Sequence, residues 1–180
     1  MVLIVETDQL VLRDFQQADI EQYCVLTQDE KYQRFYSEED CSIEKARTLA
    51  EMFVKQTADL ERTKFQLAVT LKDSGQLLGT VGLRLEPEQQ ASIGCGIARK
   101  HQATGHAKAA MSALIGYGFK CHNLHRIYAE TIADNKSAIQ LCKKLGMREE
   151  AYFVENRFFK GKWWNTVVMA ILKREWQKTK

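Results

Sequence analysis

Residues 91–110 read A-S-I-G-C-G-I-A-R-K-H-Q-A-T-G-H-A-K-A-A, and they carry the most informative pattern in the chain. Its first half has the alternating pattern typical of a strand, with Ala91, Ile93, Cys95 and Ile97 on one face. After a short polar loop, a helix is predicted to begin near Gly105. Its apolar residues recur at helical spacing: Ala107, Ala110, Met111, Leu114, Ile115 and Phe119. A strand, a tight loop and a helix start therefore follow one another directly.

The loop before this helix has the chemistry of an anion site. The first N–H groups of a helix have no intrahelical partner, and together with the helix dipole they attract negative charge. Gly105 allows the backbone to approach a phosphate closely, and Ala103 and Ala107 are small. Positive charge surrounds the loop at Arg99, Lys100, His101 and Lys108. The residues alone leave two interpretations open, a pyrophosphate site and a plain turn with a solvated basic surface.

The rest of the chain alternates between strand and helix patterns. Period-two apolar patterns predict strands at residues 10–13, 65–71, 77–83, 125–131, 147–159 and 163–173. Helical patterns occur over Asp19–Thr27, over residues 44–58 with Ser42 as the cap, and from Asp134 or Asn135 up to Gly146. This order predicts an α/β (α+β) fold in which helices cover both faces of one mixed sheet.

Composition and charge favour a single domain over residues 1–180. The net charge of +3, from 26 basic and 23 acidic residues, is too weak to indicate nucleic-acid binding. The longest apolar run, residues 167–172, is far shorter than the ~20 residues of a membrane-spanning helix, and no signal peptide is recognisable. The odd number of cysteines and the lack of a CxxC pair indicate reduced thiols and a cytoplasmic protein. Cys121, His122 and His125 match no common zinc spacing, so no metal site is predicted.

The hexapeptide Gln102-Ala103-Thr104-Gly105-His106-Ala107 resembles the Q/R-x-x-G-x-G/A signature of the GNAT acetyltransferases. Further matches follow in that family's order: L-V-L-R at 10–13, G-T-V-G at 79–82, Ile93-Gly94, Asn135 with L-G-M at 145–147, F-K-G-K-W at 159–163 and R-E-W at 174–176. The ordered set spans nearly the whole chain and is more specific than the loop alone. It is similar to the branch of ribosomal-protein N-terminal serine/alanine acetyltransferases.

The resemblance implies the GNAT fold, a mixed central sheet of about six to seven strands that is splayed between its fourth and fifth strands. The pantetheine arm of acetyl-CoA, the implied cosubstrate, would lie in that splay, and no metal is implied. The residues implied to hold acetyl-CoA are Ile97, Ala98, Arg99, Gln102, Ala103, Thr104, Gly105, His106, Ala107, Lys108 and Asn135. For Asn135 a second role as helix N-cap is open, and the two roles are compatible.

The implied reaction is acetyl transfer from acetyl-CoA to a primary amine, either a protein N-terminus or a small amine, by direct attack in a ternary complex. Some family members use a tyrosine that lies seven residues after the asparagine as proton donor, where this chain has Cys142. Ser137 is a second candidate, and burial as a small apolar residue is the alternative role for Cys142. Candidate bases are Glu130, Glu86, Glu88 and Glu155, and a water chain is a further alternative.

The missing usual acid and base favour an alternative function, a catalytically degenerate member that binds acyl-CoA as a sensor or interaction module. A dinucleotide-binding fold is disfavoured because no G-x-G-x-x-G is present and the strands before the loop are antiparallel. The implied partners are acetyl-CoA and an amine acceptor, without nucleic acid or membrane, and the resemblance allows a homodimer. Six aromatic residues are candidates for an acceptor cleft or for the core: Phe35, Tyr36, Phe153, Phe158, Trp163 and Trp164.

Overall fold

One eight-stranded sheet runs through the protein, and the computed structural model describes residues 3–102 and 104–179. The strands are β1 Ile4–Glu6, β2 Leu10–Asp14, β3 Lys64–Leu71, β4 Leu77–Glu86, β5 Gln90–Ile97, β6 Arg126–Ile132, β7 Arg148–Phe159 and β8 Lys162–Leu172. Their spatial order is β1-β2-β3-β4-β5-β6-β8-β7. Neighbouring strands are antiparallel except β5 and β6, which are parallel, so the sheet is mixed as predicted.

Helices connect the strands and cover both faces of the sheet. They are α1 Asp19–Thr27, α2 Glu30–Gln33, α3 Ile43–Gln56, α4 His106–Cys121, α5 Lys136–Lys144 and α6 Lys173–Trp176, with 3-10 turns at Glu39–Cys41, Arg99–His101 and Gln177–Thr179. None of the helices within the described residues is long and apolar enough to span a membrane.

The predicted fold class is confirmed. The sheet has eight strands rather than the predicted six to seven, because the first strand, β1, was not predicted. β1 is short and pairs with β2 from Ile4↔Arg13 to Glu6↔Val11. Three residues are too few to show a period-two pattern, so sequence reasoning missed this edge strand. The short helix α2 was also missed, although Asp29 caps it by accepting from the N–H groups of Lys31 and Tyr32.

Two apolar cores lie on the two faces of the sheet. The larger core joins the sheet to α4 and α5, with Leu114, Ile115 and Ile127 fully buried. The smaller core lies under α1 and α3, where Phe15 and Phe53 pack edge to face at 5.2 Å between ring centroids. Apolar side chains on both faces of β3 and β4 account for their nearly continuous apolar sequences.

The two predicted helix N-caps are confirmed, with Ser42 at the start of α3 and Asn135 at the start of α5. Ser42 Oγ accepts from Lys45 N at 3.1 Å, and Asn135 Oδ1 accepts from Ala138 N at 3.2 Å. Gly146 follows α5 with φ of 81°, the left-handed conformation in which glycine avoids the cost of a Cβ. The N-cap role of Asn135 is therefore confirmed, and its cofactor contact stays a prediction.

β5 and β6 pair only near their N-terminal ends. The register is Gln90↔Arg126, Ala91↔Ile127 and Ser92↔Tyr128, and it stops there. β5 continues to Ile97 paired with β4 alone, and β6 continues to Ile132 paired with β8 alone. A wedge-shaped opening, here called the wedge, therefore separates the C-terminal ends of β5 and β6, as the resemblance implied.

Buried thiols predict a loss of stability at alkaline pH. Burial raises the pKa of Cys142 to about 11, and burial together with the nearby Cys142 raises the pKa of Cys95 to about 12. The folded protein keeps these protons when the unfolded chain releases them, so the free energy of unfolding should fall as pH rises above the ordinary thiol value of 9.0. Urea unfolding at about pH 8 and about pH 10.5 measures this loss.

Cysteine-to-alanine variants distinguish the contribution of Cys142 and Cys95 from other causes of lower stability at alkaline pH. Cys142→Ala and Cys95→Ala should each reduce the pH dependence, whereas Cys121→Ala, at an exposed thiol, should leave it unchanged. Equal pH dependence in all of these proteins would show that the buried thiols do not cause it.

Candidate functional site

The start of α4 points free backbone N–H groups into open space. The first helical hydrogen bond runs from Ala109 N to the Gly105 carbonyl at 3.0 Å, so the N–H groups of His106, Ala107 and Lys108 precede it. Gly105 has φ of 89°, and a Cβ there would meet no atom within 4 Å. Among the described residues no side chain caps this helix, so its positive end can attract an anion.

Side-chain hydrogen bonds hold the loop before α4 in place. Gln102 Nε2 donates to the carbonyl oxygen of Ile97 at 2.9 Å, which ties the loop to the end of β5. Thr104 Oγ1 donates to the His101 carbonyl and lies 2.8 Å from His106 Nδ1. Within the predicted motif, Gln102 and Thr104 therefore fix the loop conformation, and the backbone is left to contact a ligand.

The loop is electropositive and lacks compensating carboxylates. Arg99, Lys100 and Lys108 are exposed, and none has an ion-pair partner among the described residues. The pKa of His101 is lowered, mainly by burial and also by Lys100 and His106. Because a neutral His101 adds no charge, Arg99, Lys100 and Lys108 leave the loop with a net positive charge that suits a phosphate group.

The predicted catalytic residues occupy different environments. Cys142 is 5% exposed within the larger core, with a pKa raised to about 11, and it lies close enough to Cys95 to raise that thiol's pKa. Ser137 is exposed on the first turn of α5. Glu130 is exposed and lies 3.2 Å from Arg157 Nη2. Ala103, from the predicted cofactor set, falls outside the described residues.

Tyr128 and Glu86, which the sequence analysis did not relate to each other, form a hydrogen-bonded pair at the closed end of the wedge. Tyr128 Oη donates to both carboxylate oxygens of Glu86, at 2.9 and 3.0 Å. Tyr128 also pairs across strands with Ser92, the last paired residue of β5 before the wedge. Burial, followed by the bond to Glu86, raises the pKa of Tyr128. The Arg126 guanidinium lies 4.6 Å from the centroid of the Tyr128 ring.

Of the predicted bases, Glu86 is bonded to Tyr128 at the closed end of the wedge, whereas Glu130 lies on the β6 edge of the wedge and pairs with Arg157. Glu88 and Glu155 are exposed with φ of 60° and 49°, in a turn and in a strand irregularity. Sequence reasoning named Glu86 but missed Tyr128, because Tyr128 reads as an ordinary strand residue and its partner is 42 residues away. Only the β4-β5-β6 register brings these side chains together.

A cavity of about 380 Å³ lies between the sheet and helices α1 to α3. Its floor consists of strand residues without bulky side chains, at Gly82, Gly94 and Gly96. Other residues that line it are Tyr23, Thr27, Tyr32, Gln33, Tyr36, Asp40, Ala46, Leu49, Met52, Phe53, Gln56, Lys64, Phe65, Gln66, Thr80, Arg84 and Cys95. The unpaired part of β5 that borders the wedge therefore also forms the cavity floor, so the two spaces meet at this strand.

Tyrosines give the cavity neutral hydrogen-bond donors. The rings of Tyr32 and Tyr36 stack with centroids 5.6 Å apart and an interplanar angle of 6°. Burial raises the pKa of both side chains and raises the pKa of Tyr23 to about 12. Of the six predicted aromatic residues, Tyr36 lines the cavity and Phe35 packs against Trp164 at 6.0 Å. These hydroxyls are protonated at neutral pH and can position a polar ligand.

The Cys121 to His125 segment does not form a ligand cluster. Cys121 and His125 are exposed, and His122 Nε2 lies 3.1 Å from Tyr117 Oη. Burial lowers the pKa of His122. Among the described residues, no three His, Cys, Asp or Glu side chains are placed to hold a metal ion.

Comparison with known proteins identifies the family of this chain. The family profile described as an acetyltransferase (GNAT) domain matches residues 9–148. The chain belongs to the GNAT acetyltransferase family. An uncharacterised N-acetyltransferase of Bacillus subtilis, YnaD, is 31% identical over 178 residues, which cover 96% of this chain and 98% of that protein.

Solved structures extend the likeness to nearly the whole GNAT chain. An acetyltransferase of the GNAT family from Bacillus anthracis has a TM-score of 0.84 and 26% identity, covering 96% of this chain and all of that one. The spermidine N-acetyltransferase of Vibrio cholerae, solved with CoA and spermine, has a TM-score of 0.80 and 25% identity, with 95% and 99% covered. This protein is therefore an N-acetyltransferase, and acetyl-CoA is the acyl donor used in its family.

Two glycines of the cavity floor provide a matched test of the cavity. A Cβ at Gly94 would meet no atom within 4 Å, whereas a Cβ at Gly96 would collide with Tyr32 Oη. Gly94→Val should therefore fill the cavity and lower kcat/KM for an amine by about tenfold or more while the fold stays intact. Gly96→Val should lower the melting temperature. Unchanged amine kinetics in Gly94→Val, measured with a thiol-release assay, would show that the cavity does not hold the acceptor.

Proposed function

We propose that this GNAT protein transfers an acetyl group from acetyl-CoA directly to a primary amine while both substrates are bound. The cavity over Gly94 and Gly96 would hold the amine, and the wedge would hold the pantetheine arm. The main support for this proposal is the position of β5, which borders the wedge along one edge and forms the cavity floor with its glycines. An amine and a thioester on the two sides of this strand would be held together, which supplies much of the rate enhancement of such reactions.

The residues at the wedge fit the chemistry of acetyl-CoA. The free N–H groups of His106, Ala107 and Lys108, with the cations at Arg99 and Lys100, suit a pyrophosphate. The backbone of β5 from Ile93 to Ile97 has no strand partner on the β6 side, so it is available to the amides of a pantetheine arm. When bound, acetyl-CoA supplies an activated acetyl thioester.

The other residues predicted to hold acetyl-CoA border the wedge or the loop before α4: Ile97, Ala98, Gln102, Thr104, Gly105 and Asn135. Their contacts with acetyl-CoA stay predictions. Gln102 and Thr104 act by positioning the loop, since their side chains already bond to the protein. Asn135 caps α5 with its side-chain oxygen, which leaves its amide nitrogen for a ligand.

Transfer needs a base for the amine and a proton for the sulfur that leaves. The amine nitrogen bonds to the acetyl carbon, the carbon–sulfur bond breaks, one amine proton passes to a base, and the thiolate of CoA takes up a proton. We assign the base role to Glu86, which would take the amine proton through Tyr128 Oη and a water chain, because this pair lies at the closed end of the wedge and Tyr128 pairs with Ser92, two residues from Gly94 on β5.

The proton donor stays a prediction at Cys142. Its raised pKa keeps the thiol protonated, as a donor must be, and it lies near Cys95 of β5. Burial in the core gives Cys142 a packing role as well. Ser137 is a weaker donor candidate because it is exposed, and Glu130 is a weaker base candidate because it is exposed and paired with Arg157.

The alternative of a degenerate acyl-CoA sensor loses its main support if Glu86 and Tyr128 supply the missing acid–base group. A polyamine is one candidate class of acceptor, because a spermidine N(1)-acetyltransferase of Vibrio cholerae is 28% identical to this chain and a spermidine N-acetyltransferase of that organism shares its fold. A protein N-terminus, the acceptor of the ribosomal-protein branch, is the other predicted class. The single domain over residues 1–180, a homodimer and a cytoplasmic location stay predictions.

Binding of acetyl-CoA at the α4 loop is tested by calorimetric titration of the wild-type protein and of Gly105→Val. The bulky residue should weaken binding by at least about tenfold, because it strains the left-handed backbone and blocks the approach of a phosphate. Gly75→Val is the matched control, since Gly75 also has positive φ, 69°, and open surroundings but lies in the β3–β4 turn. Equal affinities for acetyl-CoA in the wild-type protein and Gly105→Val would refute the loop as the pyrophosphate site.

The base assignment is tested with Glu86→Gln, which keeps an acceptor for Tyr128 but removes the carboxylate. We expect kcat to fall by about 10²-fold with little change in the amine KM, because general bases contribute on that scale. Glu88→Gln, in the adjacent turn, is the control and should retain full activity. A Glu86→Gln enzyme whose rate and pH profile match the wild type would move the base role elsewhere.

A further inference from the structure

We infer that the acceptor carries an anionic oxygen group, a carboxylate or phosphate, several bonds away from its reactive amine, and that Lys64 and Arg84 at the cavity mouth bind it. The inference rests on the proposed function, because it assigns a substrate class to the same cavity. It concerns the end of the cavity opposite the β5 glycines.

Lys64 and Arg84 are cations that the fold leaves unpaired. Among the described residues, neither has a carboxylate within ion-pair distance. The other strand cations all have such a partner, at Arg13, Arg126, Arg148, Arg157 and Lys162. Lack of a partner is therefore specific to the two strand cations that line the cavity.

The two cations are also direct neighbours. Lys64 of β3 lies opposite Arg84 of β4 in the antiparallel register, so both side chains project from the same face. Like charges placed directly opposite each other destabilise a sheet. An anion that lies between the ammonium and the guanidinium would remove this repulsion, and the guanidinium can bind two oxygen atoms at once.

The carboxylates near the cavity do not neutralise this pair. Asp40 is the one carboxylate among the described residues that line the cavity, and it accepts from Ser37 Oγ at 2.8 Å. Glu86, the next residue of β4 on the same face as Arg84, is bonded to Tyr128. A polyamine would bring further positive charge to Lys64 and Arg84, whereas an amine with an anionic group matches both ends.

The strand geometry sets the length of the acceptor. Arg84 lies opposite Ser92, which is two residues from Gly94 and four from Gly96. At ~3.4 Å per residue, the anion site is therefore roughly 7 to 14 Å along the strand from the glycines where the amine would lie. Leu49, Met52 and Phe53 of α3 also line the cavity and suit a hydrocarbon chain.

The test compares three series of primary amines of equal chain length: ω-amino acids, ω-aminoalkyl phosphonates and α,ω-diamines. Steady-state kinetics with acetyl-CoA should give a kcat/KM at least about tenfold higher for the anionic acceptors, mainly through KM, because the contact is remote from the reacting atoms. The preference should be greatest at chain lengths of about five to eight methylenes, which span the distance along the strand. The carboxylate and phosphonate series show which anion is preferred.

Two variants test the assigned residues. The double variant Lys64→Gln/Arg84→Gln should lose the preference for anionic acceptors, and Arg84→Glu should shift it toward diamines. Lys120→Gln, at an exposed lysine near the end of α4, is the control and should retain the wild-type preference. Acetyl-CoA affinity should stay unchanged in all of these variants.

The outcomes separate this inference from the proposed function. Equal or better use of diamines by the wild-type enzyme, or an unchanged preference in Arg84→Glu, overturns the inference and leaves acetyl transfer intact. Binding of acetyl-CoA without transfer to any member of the series also overturns it. Absence of acetyl-CoA binding would instead refute the proposed function itself.

Discussion

Two parallel strands that stop pairing leave backbone N–H and C=O groups without ladder partners, and β5 and β6 do so beyond Ser92 and Tyr128. Each buried group left in this way costs about 1–3 kcal/mol unless something else bonds to it. Full pairing of β5 with β4 and of β6 with β8 keeps the two edges rigid while they diverge. The wedge is therefore a fixed slot whose walls are suited to a ligand with amide groups.

The same divergence explains why the cavity and the wedge share a strand. With glycines at 94 and 96, β5 exposes its backbone to the cavity on one face, while its edge borders the wedge. On one side α4 presents its free N–H groups at the end of β5, and on the other side α1 to α3 cover the glycines. A donor and an acceptor can thus approach one strand from two directions without competing for space.

The distribution of unpaired cations matches the two proposed substrate sites, the α4 loop for acetyl-CoA and the cavity for the acceptor. Most cations on the strands are neutralised by carboxylates, but those of the α4 loop and the pair Lys64 and Arg84 are not. Within the described strands, unpaired positive charge is thus confined to Lys64 and Arg84, and the α4 loop adds Arg99, Lys100 and Lys108, so both places where the proposed substrates carry negative charge are electropositive. Tyr23, Tyr32 and Tyr36, which line the cavity, have pKa values raised by burial and therefore add no negative charge to it.

The fold class, the α4 loop and the caps at Ser42 and Asn135 could be predicted from the residues alone, because they depend on local periodicity and on side chains within a few residues of the backbone that they serve. The strand β1 is too short for a pattern, and the pairing of Tyr128 with Glu86 has no local signal. That contact, the cavity and the juxtaposition of Lys64 and Arg84 became visible in the folded protein. Each of these depends on the register between strands, and register is set by the packing of the whole sheet rather than by neighbouring residues.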